Sequence, residues 1–157
     1  MRHDYRDRTD RILAAVEIPA LGIWVGAQIG FAFLFAPLAF KALGDPQQFG
    51  TMVTPVFAAL GIFGYACGGF AFAVAVARAA RADDRTADIF RALATLIAIG
   101  ILVYHQTTIV AAMAAIPDVS SAAYHALHDR SRIVYAAVLL FSFGALVAAA
   151  ARPRNRI

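Results

Sequence analysis

Four long apolar runs, about Ile18–Phe40, Pro55–Ala77, Ile89–Ile116 and Ile133–Ala151, fill most of this chain. A helix rising ~1.5 Å per residue needs roughly 20 apolar residues to cross a hydrocarbon layer roughly 30 Å thick, and each run has about that many. Backbone amides in lipid must be satisfied within the spanning segment, so each run predicts a transmembrane helix. A hydrophobic content of 61% leaves too little polar surface to clothe a soluble globule.

Arginine gathers in alternate gaps. Arg2, Arg6, Arg8 and Arg11 precede the first run, Arg78, Arg81, Arg85 and Arg91 lie between the second and third, and Arg152, Arg154 and Arg156 close the chain. These segments hold eleven basic residues, against three (Lys41, Arg130 and Arg132) in the other two connections. The positive-inside rule then places both termini in the cytoplasm of a cell whose inner (plasma) membrane holds the protein. The expected fold is all-α: an integral membrane bundle of four transmembrane helices in two antiparallel hairpins. It forms a single domain over 1–157, with 1–11 as a cytoplasmic tail and the last helix spanning about 131–151.

The net charge of +4 belongs to residues beside the runs, so it is read as a set of topology determinants facing anionic lipid, and no nucleic-acid partner is expected. Cys67 is the only cysteine and lies within the second run, which excludes a disulfide framework or thiolate cluster. The charged start, Met1 to Arg11, does not read as a removable signal peptide. Gly44-Asp45-Pro46, Ala82-Asp83-Asp84-Arg85 and Pro117-Asp118 with Ser120-Ser121 are turn and capping signals, with outward loops near Leu43–Thr54 and Pro117–Arg130.

Helices in lipid gain nothing from mutual hydrophobic burial, so small residues mark close packing. Gly22, Gly26 and Gly30 form one such ridge, and Gly61, Gly64 and Gly68 another. They serve either contact within the bundle or homodimerisation. Glu17, just before Pro19 at a first helical turn, is either an interfacial carboxylate, solvated or arginine-paired, or a buried protonatable group facing the bundle.

Deeper in the runs lie Gln28, Tyr65, Cys67, His105-Gln106-Thr107-Thr108 and Ser142, all near mid-depth. Together with Tyr135 they form a candidate buried polar cluster. An imidazole in hydrocarbon must find a partner, so His105 is expected to meet Gln28, a threonine hydroxyl or a tyrosine. The cluster is either an interhelical hydrogen-bond clasp or a site for a ligand, a proton or a haem with His105 as the cofactor-binding residue. Tyr124, His128, Ser131 and Tyr135 share one face at the start of the last helix, as a clasp or as a shallow site opening outward.

For a metal, His125 and His128 with Asp118 or Asp129 and Met113 are the candidates. In a hairpin centred near Ser121, His105 is level with residues near 137 and His128 with residues near 114, a mismatch of roughly 14 Å that keeps the two from clamping one haem. The chain has no Gly-rich phosphate loop, nucleophile elbow, His-Glu-x-x-His or paired carboxylates, so it is read as non-catalytic.

Gly22-Ile23-Trp24-Val25-Gly26-Ala27-Gln28, with Phe31-Ala32-Phe33 and Ala36-Pro37, resembles the signature of the transmembrane protein 205-like family. Tyr124-His125-Ala126-Leu127-His128-Asp129-Arg130-Ser131 resembles that family's entry into its last helix, although Tyr135 stands where the pattern has asparagine. The resemblance implies a small four-helix membrane protein without an assigned activity, in a family with a eukaryotic member associated with platinum-drug resistance. More remotely, the Trp-x-Gly helix is similar to one in CopD-like copper-resistance proteins and haem-linked protoporphyrinogen oxidase relatives. Those relatives imply a metal or haem, but the haem-linked group's histidine motif is absent from the first run.

Three functions are expected from these residues. The first is an accessory or scaffolding subunit of a homo-oligomer or larger membrane complex. The second is a small-molecule or cation transporter or binding protein using Gln28, His105 and Thr108, which predicts an internal cavity. The third is a haem or metal redox protein relying on His105 or His128.

Overall fold

A computed structural model describes residues 2–81 and 85–151, with the side chains of 2–7, 10 and 11 outside the description. The expectations for Arg2, Arg6, Arg11, the turn at 82–84, and Arg152, Arg154 and Arg156 therefore fall outside the described residues. Helix one is α-helical over Arg2–Ile29, passes through a π-helical segment, Gly30–Phe35, and continues as Ala36–Leu43. Helix two is Pro46–Ala79. Helix three runs Thr86–Tyr104, then a second π-helical segment, His105–Val110, then Ala111–Ala114, and helix four is Ala122–Ala150. No strand occurs among the described residues, and four helices are long and apolar enough to cross a membrane.

The helices outrun the apolar sequence that announces them. Only Gly44 and Asp45 separate helices one and two: Gly44 closes the first in the left-handed region (φ 64°), with its N–H on the Phe40 carbonyl at 3.0 Å. Asp45 caps the second by accepting from the Gln47 N–H at 2.8 Å, with Pro46 in the first position, where its missing N–H costs nothing. Most of the expected Leu43–Thr54 loop is thus helix. So is most of the expected Pro117–Arg130 loop, because Ser121 accepts from the Tyr124 N–H at 3.2 Å and starts helix four at Ala122. Pro19, expected at a helix start, lies inside helix one and costs it one internal hydrogen bond.

Helix one packs against helices two and four, and helix three packs against the same two. The shared core is built from Leu21 and Trp24 of helix one, Ala71 of helix two, Ala94, Ala98 and Leu102 of helix three, and Val138, Ala145 and Ala149 of helix four. Alanine predominates because close backbone approach, not apolar area, holds helices together in lipid. The single tryptophan fills the space that glycine leaves. A Cβ on Gly64 would sit 2.8 Å from Trp24 Nε1 and 2.7 Å from a Leu102 methyl, and one on Gly68 2.9 Å from Trp24 Cζ3. Gly61 likewise admits Gln106, whose amide donates to the Phe57 carbonyl at 2.9 Å.

The first ridge is different. No atom lies within 4 Å of a Cβ built on Gly22, Gly26 or Gly30, so these glycines make no close contact within the chain. The outer surface is apolar, with Phe33, Leu34, Leu38, Ile62, Ile133 and Leu140 all widely exposed, while Glu17, Arg78, Asp88, Arg91 and His105 are buried. Along the spanning length this arrangement suits lipid, with apolar groups outside and these polar and charged groups within.

Candidate functional site: a buried ion quartet and a caged histidine

At the end of the fold where helices two and three connect, two carboxylates and two guanidiniums meet out of solvent. Arg78 Nη1 donates to Glu17 Oε2 at 3.2 Å, and Arg91 Nη1 lies 3.3 Å from the same oxygen. Asp88 Oδ1 accepts from Arg91 Nη2 and lies 3.8 Å from Arg78 Nε. The four side chains are between 0% and 4% exposed, which removes the lipid-facing reading of Arg78 and Arg91. Two negative and two positive groups balance, which is the condition under which such charges persist in a low-dielectric interior. Glu17 takes the buried position among the alternatives its sequence left open, paired to arginines from two other helices. The quartet was missed because arginine beside an apolar run reads as a topology signal; Asp88, three residues before Arg91 and at the edge of the third run, was the available clue.

Along helix three, 14 residues or about 21 Å beyond Arg91, is His105. It is fully buried, and its Nε2 lies 2.7 Å from Ser131 Oγ of helix four. Phe57 of helix two and Tyr135 of helix four flank the imidazole with ring centroids at 5.8 Å and 5.7 Å. Phe31 of helix one closes the group, 4.7 Å from Phe57 and 6.3 Å from Tyr135. The aromatic cage therefore draws on all four helices. His105 begins one π-helical segment and Phe31 lies in the other. Such segments insert a residue into a turn, re-aim the side chains beyond it, and occur frequently at functional sites.

The remaining predicted site residues separate. Gln28 does not meet His105; its amide donates to Ser142 Oγ at 3.1 Å, and Ser142 donates on to the Leu139 carbonyl. Thr108 is exposed and lies outside the cluster, and Tyr65 and Cys67 are half-buried against the core. Thr107 satisfies its hydroxyl on its own helix, at the Val103 carbonyl. The contacts of His105 on helix four fall at Ser131 and Tyr135, the second of them close to the expected level near 137. Gln28, His105 and Thr108 are thus not brought together. A groove of about 460 Å³ lies along helix one, lined by Gly30, Leu34, Phe35, Leu38, Ala39 and Ala42.

At the other end, His125 and His128 are exposed, Tyr124 stacks on His128 at 6.3 Å, and the Arg130 guanidinium lies 5.7 Å over the Tyr104 ring. The expected stripe splits: Ser131 and Tyr135 turn inward, while His128 stays at the surface. The Ser120 hydroxyl and N–H both donate to Asp118 and hold its carboxyl below the usual carboxylate range. Among the described residues no three His, Cys, Asp or Glu side chains converge as a metal site would require, so His125 and His128 gain no third ligand. A haem does not fit at His105 as it stands, because Ser131 takes one nitrogen and aromatic rings take the flanks.

Residues 20–119 match a family described as a domain of unknown function (DUF4149). The chain belongs to that DUF4149 family. No curated protein matches the chain, and no solved structure does. The DUF4149 region takes in Trp24, Gln28, Phe57, Arg78, Asp88, Arg91 and His105, and leaves Ser131 and Tyr135 of helix four outside it.

Proposed function

We propose that this DUF4149 protein is a non-catalytic accessory or scaffolding subunit of the inner membrane. Its four helices form two antiparallel hairpins with both termini in the cytoplasm, and it assembles with further copies of itself through helix one. The observation that carries this reading is the outward row Gly22, Gly26, Gly30, which no side chain of the same chain approaches. The row continues at the same four-residue spacing into Leu34 and Leu38, two of the groove-lining residues. Glycine in a helix costs about 1 kcal/mol relative to alanine, and small residues at this spacing let a second helix approach closely enough for backbone contact. The likeness of the Trp24 and His128 segments to the transmembrane protein 205-like pattern agrees with a small membrane protein that has no chemistry of its own.

Native mass spectrometry of the protein extracted with its lipids is the test. The expected species is a dimer or larger oligomer of the 16.7 kDa chain, converted to monomer by Gly26→Leu. A wild-type protein that is monomeric under the same gentle extraction overturns this reading.

A further inference from the structure

Buried polar atoms are normally paired, because leaving one unmet in an apolar interior costs about 1–3 kcal/mol. In the cage, two are unmet. His105 is fully buried, and its Nδ1 has no hydrogen-bond partner although Nε2 has Ser131. The Tyr135 hydroxyl is also buried without one. The two ring centroids lie 5.7 Å apart, so an unmet ring nitrogen and an unmet hydroxyl sit in adjacent side chains.

Two aromatic rings lie against the imidazole. The ring centroids of Phe57 and Tyr135 lie 5.8 Å and 5.7 Å from that of the imidazole, tilted against it, within the ~6 Å over which an aromatic quadrupole acts on positive charge. The groups facing the imidazole are Phe57 from helix two and Ser131 and Tyr135 from helix four, with Phe31 of helix one behind them. Tyr135 is the titratable group among these. Asp129 and Arg132, which flank Ser131 in sequence, are exposed by 72% and 74% at the outer surface. Further unpartnered atoms, Gln28 Oε1, Thr95 Oγ1 and Glu17 Oε1, recur along the interior from the cage toward the ion quartet.

We propose that His105 is a proton-binding site within the membrane-spanning region, with Tyr135 as its partner. With Nε2–H donating to Ser131 Oγ, the Nδ1 lone pair takes a proton from hydronium and water leaves. The new Nδ1–H donates to the Tyr135 hydroxyl oxygen, and the imidazolium charge faces the Phe57 and Tyr135 rings.

The test is ¹⁵N NMR of histidine-labelled protein in bilayers. Replacing His3, His125 and His128 with asparagine leaves His105 as the only labelled ring. Its Nδ1 signal is expected to change from unprotonated to protonated as the pH is lowered from about 8 to about 4. Tyr135→Phe in the same background should lower the midpoint by about one pH unit, the equivalent of one hydrogen bond. A ring that stays neutral throughout, or a midpoint that Tyr135→Phe leaves unchanged, overturns the proposal. The readout does not depend on oligomeric state, so it stands or falls separately from the role of helix one.

Discussion

Asp88 with Arg91 in helix three, and Asp129 with Arg132 in helix four, are the same acid–base pair at the same three-residue spacing. The first pair is sealed in the bundle at 0% and 1% exposure, and the second is exposed at 72% and 74%. What separates them is company. Glu17 and Arg78 reach the first pair from two other helices and complete a neutral quartet, whereas the second pair meets solvent or headgroups. An exposed pair of this kind contributes little, because water and salt screen it and two long side chains must be ordered to form it. A buried network answers to different rules: removing one member strands the others in a medium that cannot solvate them.

The largest expected effect is Arg91→Met, which leaves Glu17 and Asp88 with a single guanidinium between them. Unfolding free energy in mixed micelles should fall by about 3–5 kcal/mol, and Glu17→Met added to it should restore part of the loss by returning the site to neutrality. A double variant no more stable than Arg91→Met alone would show that charge balance is not what holds the quartet. Next comes Gly64→Ala, whose methyl collides with Trp24 and Leu102. A loss of about 1–3 kcal/mol is expected, measured against Gly26→Ala, which should leave the isolated chain as stable or slightly more so. Equal losses at both glycines would contradict the assignment of one ridge to the interior and the other to the outer surface. Smallest is Asp129→Asn, expected to change stability by less than about 1 kcal/mol and to lose even that in high salt, while Arg91→Met keeps its effect there.

The two glycine ridges teach the same lesson as the two ion pairs. Gly22, Gly26 and Gly30 and a second series, Gly61, Gly64 and Gly68, each keep to one helical face, and only the second receives side chains from the same fold. Spacing places residues on one face but does not say which way that face turns. Gln28 and His105 illustrate the matching problem with depth. Both were expected at mid-membrane, with Gln28, a threonine or a tyrosine as the partner of His105, yet each bonds a different serine of helix four, and of the three it is a tyrosine, Tyr135, that lies beside the imidazole. The π-helical segments at Gly30–Phe35 and His105–Val110 add to this, since an inserted residue rotates the rest of the helix and leaves no composition signal. The helix ends were more legible, because Gly44, Asp45, Pro46 and Ser121 act through their own backbone and side-chain geometry.

The amino-acid sequence by itself determined the number of spans and the turn and capping residues between them. Transfer into hydrocarbon adds up residue by residue along the chain, and capping is decided within a few residues, so neither needs distant partners. Only the tertiary structure decided which charges are buried, which ridge packs inward and what surrounds His105. Those outcomes depend on the rotation, tilt and mutual height of four helices, quantities that belong to no single stretch of sequence.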